Sequence, residues 1–468
     1  MSGFFGSILK SDCVSDVYYG TDYHSHLGTK RAGLAFFSED KGFQRAIHSL
    51  EDGYFRNKFE NDLKGFYGNS GIGVISDHEA QPIQVTSHLG RFAVATVSKI
   101  VNIDDLEASY MDQHRTFSET SQGSVNPTEL VAMLIADCKD FVSGIENVYD
   151  KVIGSCSILV LAEDCIIAAR DKLGRTPIII GKKNTGHAVS FETCAFPNLG
   201  YETEYYMGPG EIMKVTAEGY EQLRKPNEKM QICAFLWVYF GYPPAFYEGI
   251  NVDECRYRCG AALAKNDKTK VDFVAGIPDS GVGHAMGYSN ERGIPLKRPY
   301  SKYTPTWPRS FMPQKQETRD LVAKMKLLPN HSIIKDKRGV FLDDSIVRGT
   351  QLKDNVRDLH EAGINEVHMR IACPPLTYPC EYLNFSRSRS HMDLATRTAV
   401  KQLEGCDNFD MEEYSDTNNG KYDEMVEQIR KNLDMTSLKY QKLNDLVEAI
   451  GLPKEKLCTH CWDGSSYY

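Results

Sequence analysis

An apolar strand that runs straight into two acids and a glycine–threonine helix start constrains this chain more than any other feature. Residues 340–350 read Val-Phe-Leu-Asp-Asp-Ser-Ile-Val-Arg-Gly-Thr. The apolar triplet predicts a buried strand, and residues 351–362 carry the spacing of a following helix. Two further strands are expected at residues 271–277, which lead into Pro-Asp-Ser-Gly, and at residues 367–372. Strands alternating with helices predict a parallel sheet with covering helices, and in such folds ligands bind beyond the carboxyl ends of the strands. Backbone N–H groups at a helix start, with Ser345, Gly349 and Thr350 beside them, make a cradle for an anion. Asp343 and Asp344 next to that cradle suit a ribose diol or a Mg²⁺ ion. A plain helix cap needs one such residue. Two acids, an arginine and a Gly-Thr pair exceed that need.

The first half has a different pattern. Residues 91–101, 157–162 and 177–181 are short β-rich runs bounded by Gly, Asp and Asn, and residues 129–141 have helical apolar spacing. This predicts sheets packed on helices. The polar stretch 223–231, Leu-Arg-Lys-Pro-Asn-Glu-Lys-Met-Gln, is the expected seam and divides the chain into residues 1–228 and 229–468. A chain of 468 residues is too long for one continuous core. Lys and Arg number 54 against 63 Asp and Glu, and the net charge of −9 argues against a general nucleic-acid binder. The longest apolar candidate, 232–240, is far shorter than the roughly 18 residues of a membrane span. The first residues lack the layout of a secretion signal. The expectation is a cytoplasmic protein, without membrane or nucleic-acid partners, whose thirteen cysteines are reduced.

The run at 340–350 resembles the diphosphate-binding motif of phosphoribosyltransferases. More closely, the whole chain resembles the glutamine phosphoribosylpyrophosphate amidotransferase (amidophosphoribosyltransferase) family of de novo purine synthesis, where the run reads Val-Asp-Asp-Ser-Ile-Val-Arg-Gly-Thr-Thr. Residues 275–281, Ala-Gly-Ile-Pro-Asp-Ser-Gly, resemble that family's pyrophosphate loop, and residues 26–33, 68–73, 79–82, 170–177 and 209–211 match further landmarks. The resemblance implies a protein of α/β and α+β class. Its N-terminal half would be an Ntn-hydrolase-like αββα sandwich of the class II glutamine amidotransferase type. Its C-terminal half would be a type I phosphoribosyltransferase domain, a parallel sheet with flanking helices. It further implies that Ser345, Arg348, Gly349 and Thr350 hold a 5′-phosphate. Asp343 and Asp344 would hold ribose hydroxyls or Mg²⁺, and Asp279, Ser280 and Gly281 the pyrophosphate, with Ser280 near the metal. Arg309 and Lys326 would arrive when a loop closes. Two stretches depart from the family. Residues 303–309 are longer and carry two prolines and Trp307, and residues 241–245 read Gly-Tyr-Pro-Pro-Ala in place of Ala-Arg-Pro-Asp-Ser.

By the same resemblance the first half would hydrolyse glutamine with an N-terminal cysteine whose own amine is the base. Ser2 stands at that position. The family's Arg-Tyr-x-Thr loop is missing, because Gly73 runs through Val-Ile-Ser-Asp-His directly into Glu79. Its His-Asn-Gly-Asn-Leu reads Thr96-Val97-Ser98-Lys99-Ile100, without the asparagine donor of the oxyanion hole. Its Ser-Asp-Ser-Glu reads Asn126-Pro127-Thr128-Glu129, with proline at the acid. Loss of one oxyanion donor costs about 10²–10³ in rate. Loss at four places predicts a glutaminase that no longer works on a framework that persists.

Cys458-Thr-His-Cys461 is compatible by itself with zinc, a redox pair or neither. The iron–sulfur branch of the family places four cysteine ligands of a [4Fe–4S] cluster where Cys233, Cys380, Cys458 and Cys461 stand, which implies such a cluster here. The other nine, Cys13, Cys138 and Cys373 among them, read as core or surface thiols. Three readings follow. The first is a Mg²⁺-dependent enzyme that forms 5-phosphoribosylamine and pyrophosphate from phosphoribosyl pyrophosphate with ammonia or another amine. The second is a non-catalytic regulatory paralogue that binds phosphoribosyl pyrophosphate or nucleotides. The third is a glutamine-dependent enzyme that uses Ser2. The resemblance implies a homo-oligomer with purine nucleotides as regulators.

Overall fold

The computed structural model describes residues 1–121, 123–302, 327–383 and 391–467. Two antiparallel sheets make up the first half. The seven-stranded sheet runs in the order Glu202–Tyr206, Ile179–Lys183, Gly186–Ser190, Gly3–Leu9, Ser70–Ser76, Arg31–Ser38 and Gly42–Ser49. The six-stranded sheet runs Tyr220–Arg224, Ile212–Val215, Ile166–Ala169, Gly154–Leu161, Gly90–Ile100 and Ile83–Ser87. Successive side chains of a strand point to opposite faces, and both faces here are apolar. Along Gly3–Leu9, Phe4 and Ile8 face the other sheet, whereas Phe5 and Leu9 face outward into a core that includes Val14 and Val17 of helix Val14–Asp22. Along Gly90–Ile100, Ala93, Ala95 and Val97 face inward, and Phe92 and Val94 pack with helices Pro127–Ala136 and Phe141–Lys151. The result is a four-layer αββα sandwich.

The apolar spacing over 129–141 predicts one helix, and the structure corrects this to two. The first ends at Ala136, and Asp140 opens the second by accepting from the Ser143 N–H at 2.8 Å. Its carboxylate competes better as a cap than as a helix-interior residue.

The second half holds a four-stranded parallel sheet in the order Phe273–Gly276, Arg338–Asp343, Glu366–Ile371 and Ser437–Tyr440. Val274, Val340 and Leu342 pack with Ala264 and Ala285 of helices Val252–Lys265 and Gly281–Arg292 on one face. Phe273, Ala275 and Phe341 belong to the core on the other face, with helices Thr350–Glu361 and Gly420–Asn432. That core continues through Ile232, Ala234, Leu236 and Trp237 into the space between the two sheets of the sandwich. Ile232 and Cys233 pair in parallel with Leu457 and Cys458, so the C-terminal tail returns to the seam. Among the described residues no helix is long and apolar enough to cross a membrane.

Candidate functional site

The strand Arg338–Asp343 buries Val340, Phe341 and Leu342 completely and then delivers its acids to the sheet's carboxyl edge. Asp344 is buried. Its carboxylate accepts from the Ser280 hydroxyl and, at 2.6 Å, from the Ser345 hydroxyl, while its own N–H donates to Asp343 at 3.0 Å. None of Asp343, Asp344 and Ser345 caps the next helix. That role falls to Gly349, whose φ of +78° suits glycine and turns the chain into Thr350–Glu361. The first N–H groups of such a helix have no partner within it and point back along the axis.

Ile277 N–H donates to the Leu342 carbonyl at 2.8 Å, and Gly281 N–H donates to the Ile277 carbonyl at 3.0 Å. These bonds lock the loop 277–281 against the acid-bearing strand and start helix Gly281–Arg292 beside it. Asp279 is exposed and paired with Lys302. Arg348 is half-exposed, with its guanidinium 3.6 Å from the Asp393 carboxylate. Burial, together with the Asp344 charge, pushes the Asp343 carboxyl well above the usual range. Burial also raises Asp344, although the Ser280 and Ser345 hydroxyls and the nearby Arg256 charge work against the rise. Two acids strained toward protonation in this way are a pair that a divalent cation would relieve.

A cavity of about 680 Å³ opens at this point, lined by Ser280, by both acids and by the whole loop 345–350. Tyr239, Phe240 and Tyr378 also line it. A π-type turn at Leu236–Phe240 presents the first two, and the Arg256 guanidinium fixes that turn by donating to the carbonyls of Trp237, Tyr239 and Gly241. Sequence reasoning missed Arg256 and this aromatic wall. A lone arginine in an ordinary helix and an apolar run carry no signal of their own. The structure therefore brings Ser280, Gly281, Asp343, Asp344, Ser345, Arg348, Gly349 and Thr350 together and leaves the Asp279 side chain at the rim. Arg309 and Lys326 lie outside the described residues.

In the sandwich, the Ser2 hydroxyl is buried and donates to the Ser76 hydroxyl at 3.1 Å. The Met1 ammonium lies 2.8 Å from Asp77. Val97 is buried, and Pro127 is the first residue of its helix, so neither side chain offers a hydrogen bond. Glu79 is fully buried, and burial pushes its carboxyl up to about 7.

Cys233, Cys380, Cys458 and Cys461 converge beside the cavity, and Cys380 and Cys461 line it. Each of the six pairs among them is close enough that one thiolate opposes ionisation of the other. Burial is the larger cause and raises all four, Cys380 to about 11. Backbone N–H groups point at the sulfurs, as Leu383 does toward Cys380 at 3.3 Å. Among the described residues, no set of three or more His, Cys, Asp or Glu side chains is arranged so that it could hold a single metal ion.

Comparison with known proteins agrees with this geometry. Residues 70–196 match the sequence pattern of the glutamine amidotransferase domain. The chain is 31% identical to the amidophosphoribosyltransferase of Methanocaldococcus jannaschii over 99% of this chain and 97% of that one. It is 31% identical to the amidophosphoribosyltransferase of Bacillus subtilis over 81% and 80%. The solved B. subtilis glutamine phosphoribosylpyrophosphate amidotransferase, complexed with ADP and GMP, superposes with a TM-score of 0.84 at 26% identity, covering 100% of this chain and 97% of that one.

Proposed function

The chain belongs to the amidophosphoribosyltransferase family, and we propose that it forms 5-phosphoribosylamine and pyrophosphate from phosphoribosyl pyrophosphate, with ammonia rather than glutamine as the nitrogen donor. It is a pentosyltransferase of purine nucleotide biosynthesis. The cavity at the end of strand Arg338–Asp343 carries this reading, because it gathers an anion-binding loop, the buried Asp344 and the half-buried Asp343 around one space. Thr350 and the N–H groups of the loop hold the 5′-phosphate. Asp343 and Asp344 face the ribose hydroxyls, and Ser280 and Gly281 hold the pyrophosphate. The amine's lone pair attacks the ribose C1, the C1–O bond breaks, pyrophosphate leaves, and the proton released by nitrogen goes to solvent. The donor set fits Mg²⁺, a hard cation that commonly takes one or two carboxylates plus substrate phosphates. When bound, Mg²⁺ neutralises the leaving charge. Arg309 and Lys326 are assigned to loop closure over the substrate.

The glutamine-independent part rests on the sandwich. Ser2 is engaged with Ser76, and apolar Val97 and Pro127 stand where an amide donor and an acid are needed. The division at residues 228 and 229 is part of the same proposal. It is supported by strand placement: the last strand of either sandwich sheet is Tyr220–Arg224, and the parallel sheet starts at Phe273. The test is anaerobic pyrophosphate release with Mg²⁺ and either ammonium or glutamine. Turnover is expected with ammonium alone. Equal turnover with glutamine overturns the donor assignment, and tight binding without turnover favours a regulatory paralogue.

The same proposal includes a [4Fe–4S] cluster on Cys233, Cys380, Cys458 and Cys461. Four thiolates around one zinc at about 2.3 Å stand roughly 3.8 Å apart. Four thiols that approach one another in every pairing are the ligand type and number that a cubane iron–sulfur group takes, which supports the reading. Such a group ties the tail to the seam as a structural clamp.

A further inference from the structure

We infer that Glu192 of the sandwich half is a positioning residue of the transferase site, because it anchors the segment 242–247 that sets the aromatic wall of Tyr239 and Phe240. The inference rests on the reaction proposed above. Glu192 stands just past the strand Gly186–Ser190 and is completely buried. One of its carboxylate oxygens accepts from the Tyr247 hydroxyl and, at 3.4 Å, from the Tyr242 N–H. The other lies 3.0 Å from His26 Nε2 and accepts from the Cys194 thiol at 3.4 Å. The adjacent Thr193 hydroxyl oxygen accepts from the Phe246 N–H at 2.8 Å. Tyr242, Phe246 and Tyr247 belong to the transferase half, and both side chains that hold them belong to the sandwich. Burial works to raise the Glu192 carboxyl, but the neighbouring His26 outweighs it and holds the group at about 2, so the anchor keeps its charge.

The path from this anchor to the cavity is short. The Tyr247 ring meets the Trp237 ring edge-on at 5.7 Å. Trp237 Nε1 donates to the Ile250 carbonyl at 3.2 Å, and Ile250 pairs with Tyr247 across a short hairpin. The Gly241 N–H closes the turn on the Leu236 carbonyl at 2.7 Å. A Cβ on Gly241 would lie 2.8 Å from that carbonyl oxygen and 2.8 Å from the Tyr247 ring, so not even a methyl group fits between them. In packing this close, Tyr247 cannot shift without moving the turn that presents Tyr239 and Phe240 to the cavity. Arg256 fixes that turn from within the transferase half, and Glu192 fixes it from the other side of the seam. The sandwich thereby serves the transferase site without any glutamine chemistry.

The test is steady-state kinetics of ammonium-dependent pyrophosphate release by full-length Glu192→Ala, Glu192→Gln and Tyr247→Phe, alongside thermal unfolding. Tyr247→Phe keeps the ring against Trp237 and removes only the hydroxyl that Glu192 accepts. Losing one buried hydrogen-bond partner is worth about tenfold. The wall holds substrate and transition state alike, so Glu192→Ala and Tyr247→Phe should each raise the KM for phosphoribosyl pyrophosphate about tenfold and leave kcat within about twofold. Glu192→Gln still accepts from Tyr247 and should return KM to near the wild-type value. The two changes act through one bond, so Glu192→Ala with Tyr247→Phe should cost no more than Glu192→Ala alone. A purely structural role lowers the unfolding temperature and leaves the KM of the folded enzyme unmoved. That result, in a wild type that turns over, overturns this inference alone. If Glu192→Ala fails to fold, Tyr247→Phe decides the question. A wild type that releases no pyrophosphate overturns the proposed reaction, and this inference with it.

Discussion

Gly281 is the residue at which a single methyl group should separate folding from catalysis. A Cβ built there would sit 2.3 Å from the Leu342 carbonyl oxygen and 3.4 Å from the Asp343 Cα. That carbonyl belongs to the central strand and already accepts from Ile277, so it has no freedom to retreat. Restoring ordinary contact near 3.4 Å needs a movement of about 1 Å between the pyrophosphate loop and the acid-bearing strand, and a misplacement of that size costs about 10²-fold in rate. Gly281→Ala is therefore expected to lower kcat/KM for phosphoribosyl pyrophosphate about 100-fold in ammonium-dependent pyrophosphate release, equivalent to about 2.7 kcal/mol of transition-state stabilisation. The matched control is Gly293→Ala at the other end of the same helix, where φ is +62° and nothing lies within 4 Å. Left-handed strain there costs about 1–2 kcal/mol of stability and leaves kcat/KM unchanged. Thermal unfolding distinguishes the two. A well-folded Gly281→Ala enzyme with wild-type kcat/KM refutes the assignment of this loop to the substrate.

Three further outcomes are expected. Asp344→Asn should keep the fold, since the amide oxygen still accepts from one of the Ser280 and Ser345 hydroxyls while its NH2 donates to the other, yet lose at least about 10² in kcat/KM. Ser2→Cys should remain without glutaminase activity by ammonia release, because Val97 and Pro127 supply neither donor nor acid. Glu79 holds its proton more tightly folded than unfolded, about 7 against 4.5. Stability is then full below pH 4.5 and declines by about 3 kcal/mol as pH rises to about 7, and denaturant melts of Glu79→Gln should lack that decline.

The transferase half was legible in the sequence because its determinants are local. Strand, acids, positive-φ glycine and helix start occupy eleven consecutive residues, and each states its conformation through short-range sterics and hydrogen bonding. The alternating strand–helix order of the second half, and the apolar short strands of the first, are periodic signals of the same kind. The helix break at 137–140 was missed because the apolar spacing runs through it, while the Asp140 cap depends on one carboxylate's geometry.

Sequence by itself thus determined the strand-and-helix pattern and where in it the two acids and the Gly-Thr helix start fall. Only the tertiary structure decided what meets across long separations. Arg256 clamps the aromatic wall from a helix whose sequence looks ordinary. Lys99 reaches the Cys380 carbonyl, 281 positions along the chain. Those contacts arise because the apolar stretch 232–237 fills the space between two sheets and carries the seam, and the tail paired with it, onto the sandwich. Burial then converts exposed charges of no specificity into partners that must be satisfied. No local pattern encodes such an encounter, since it is set by the packing of the whole core.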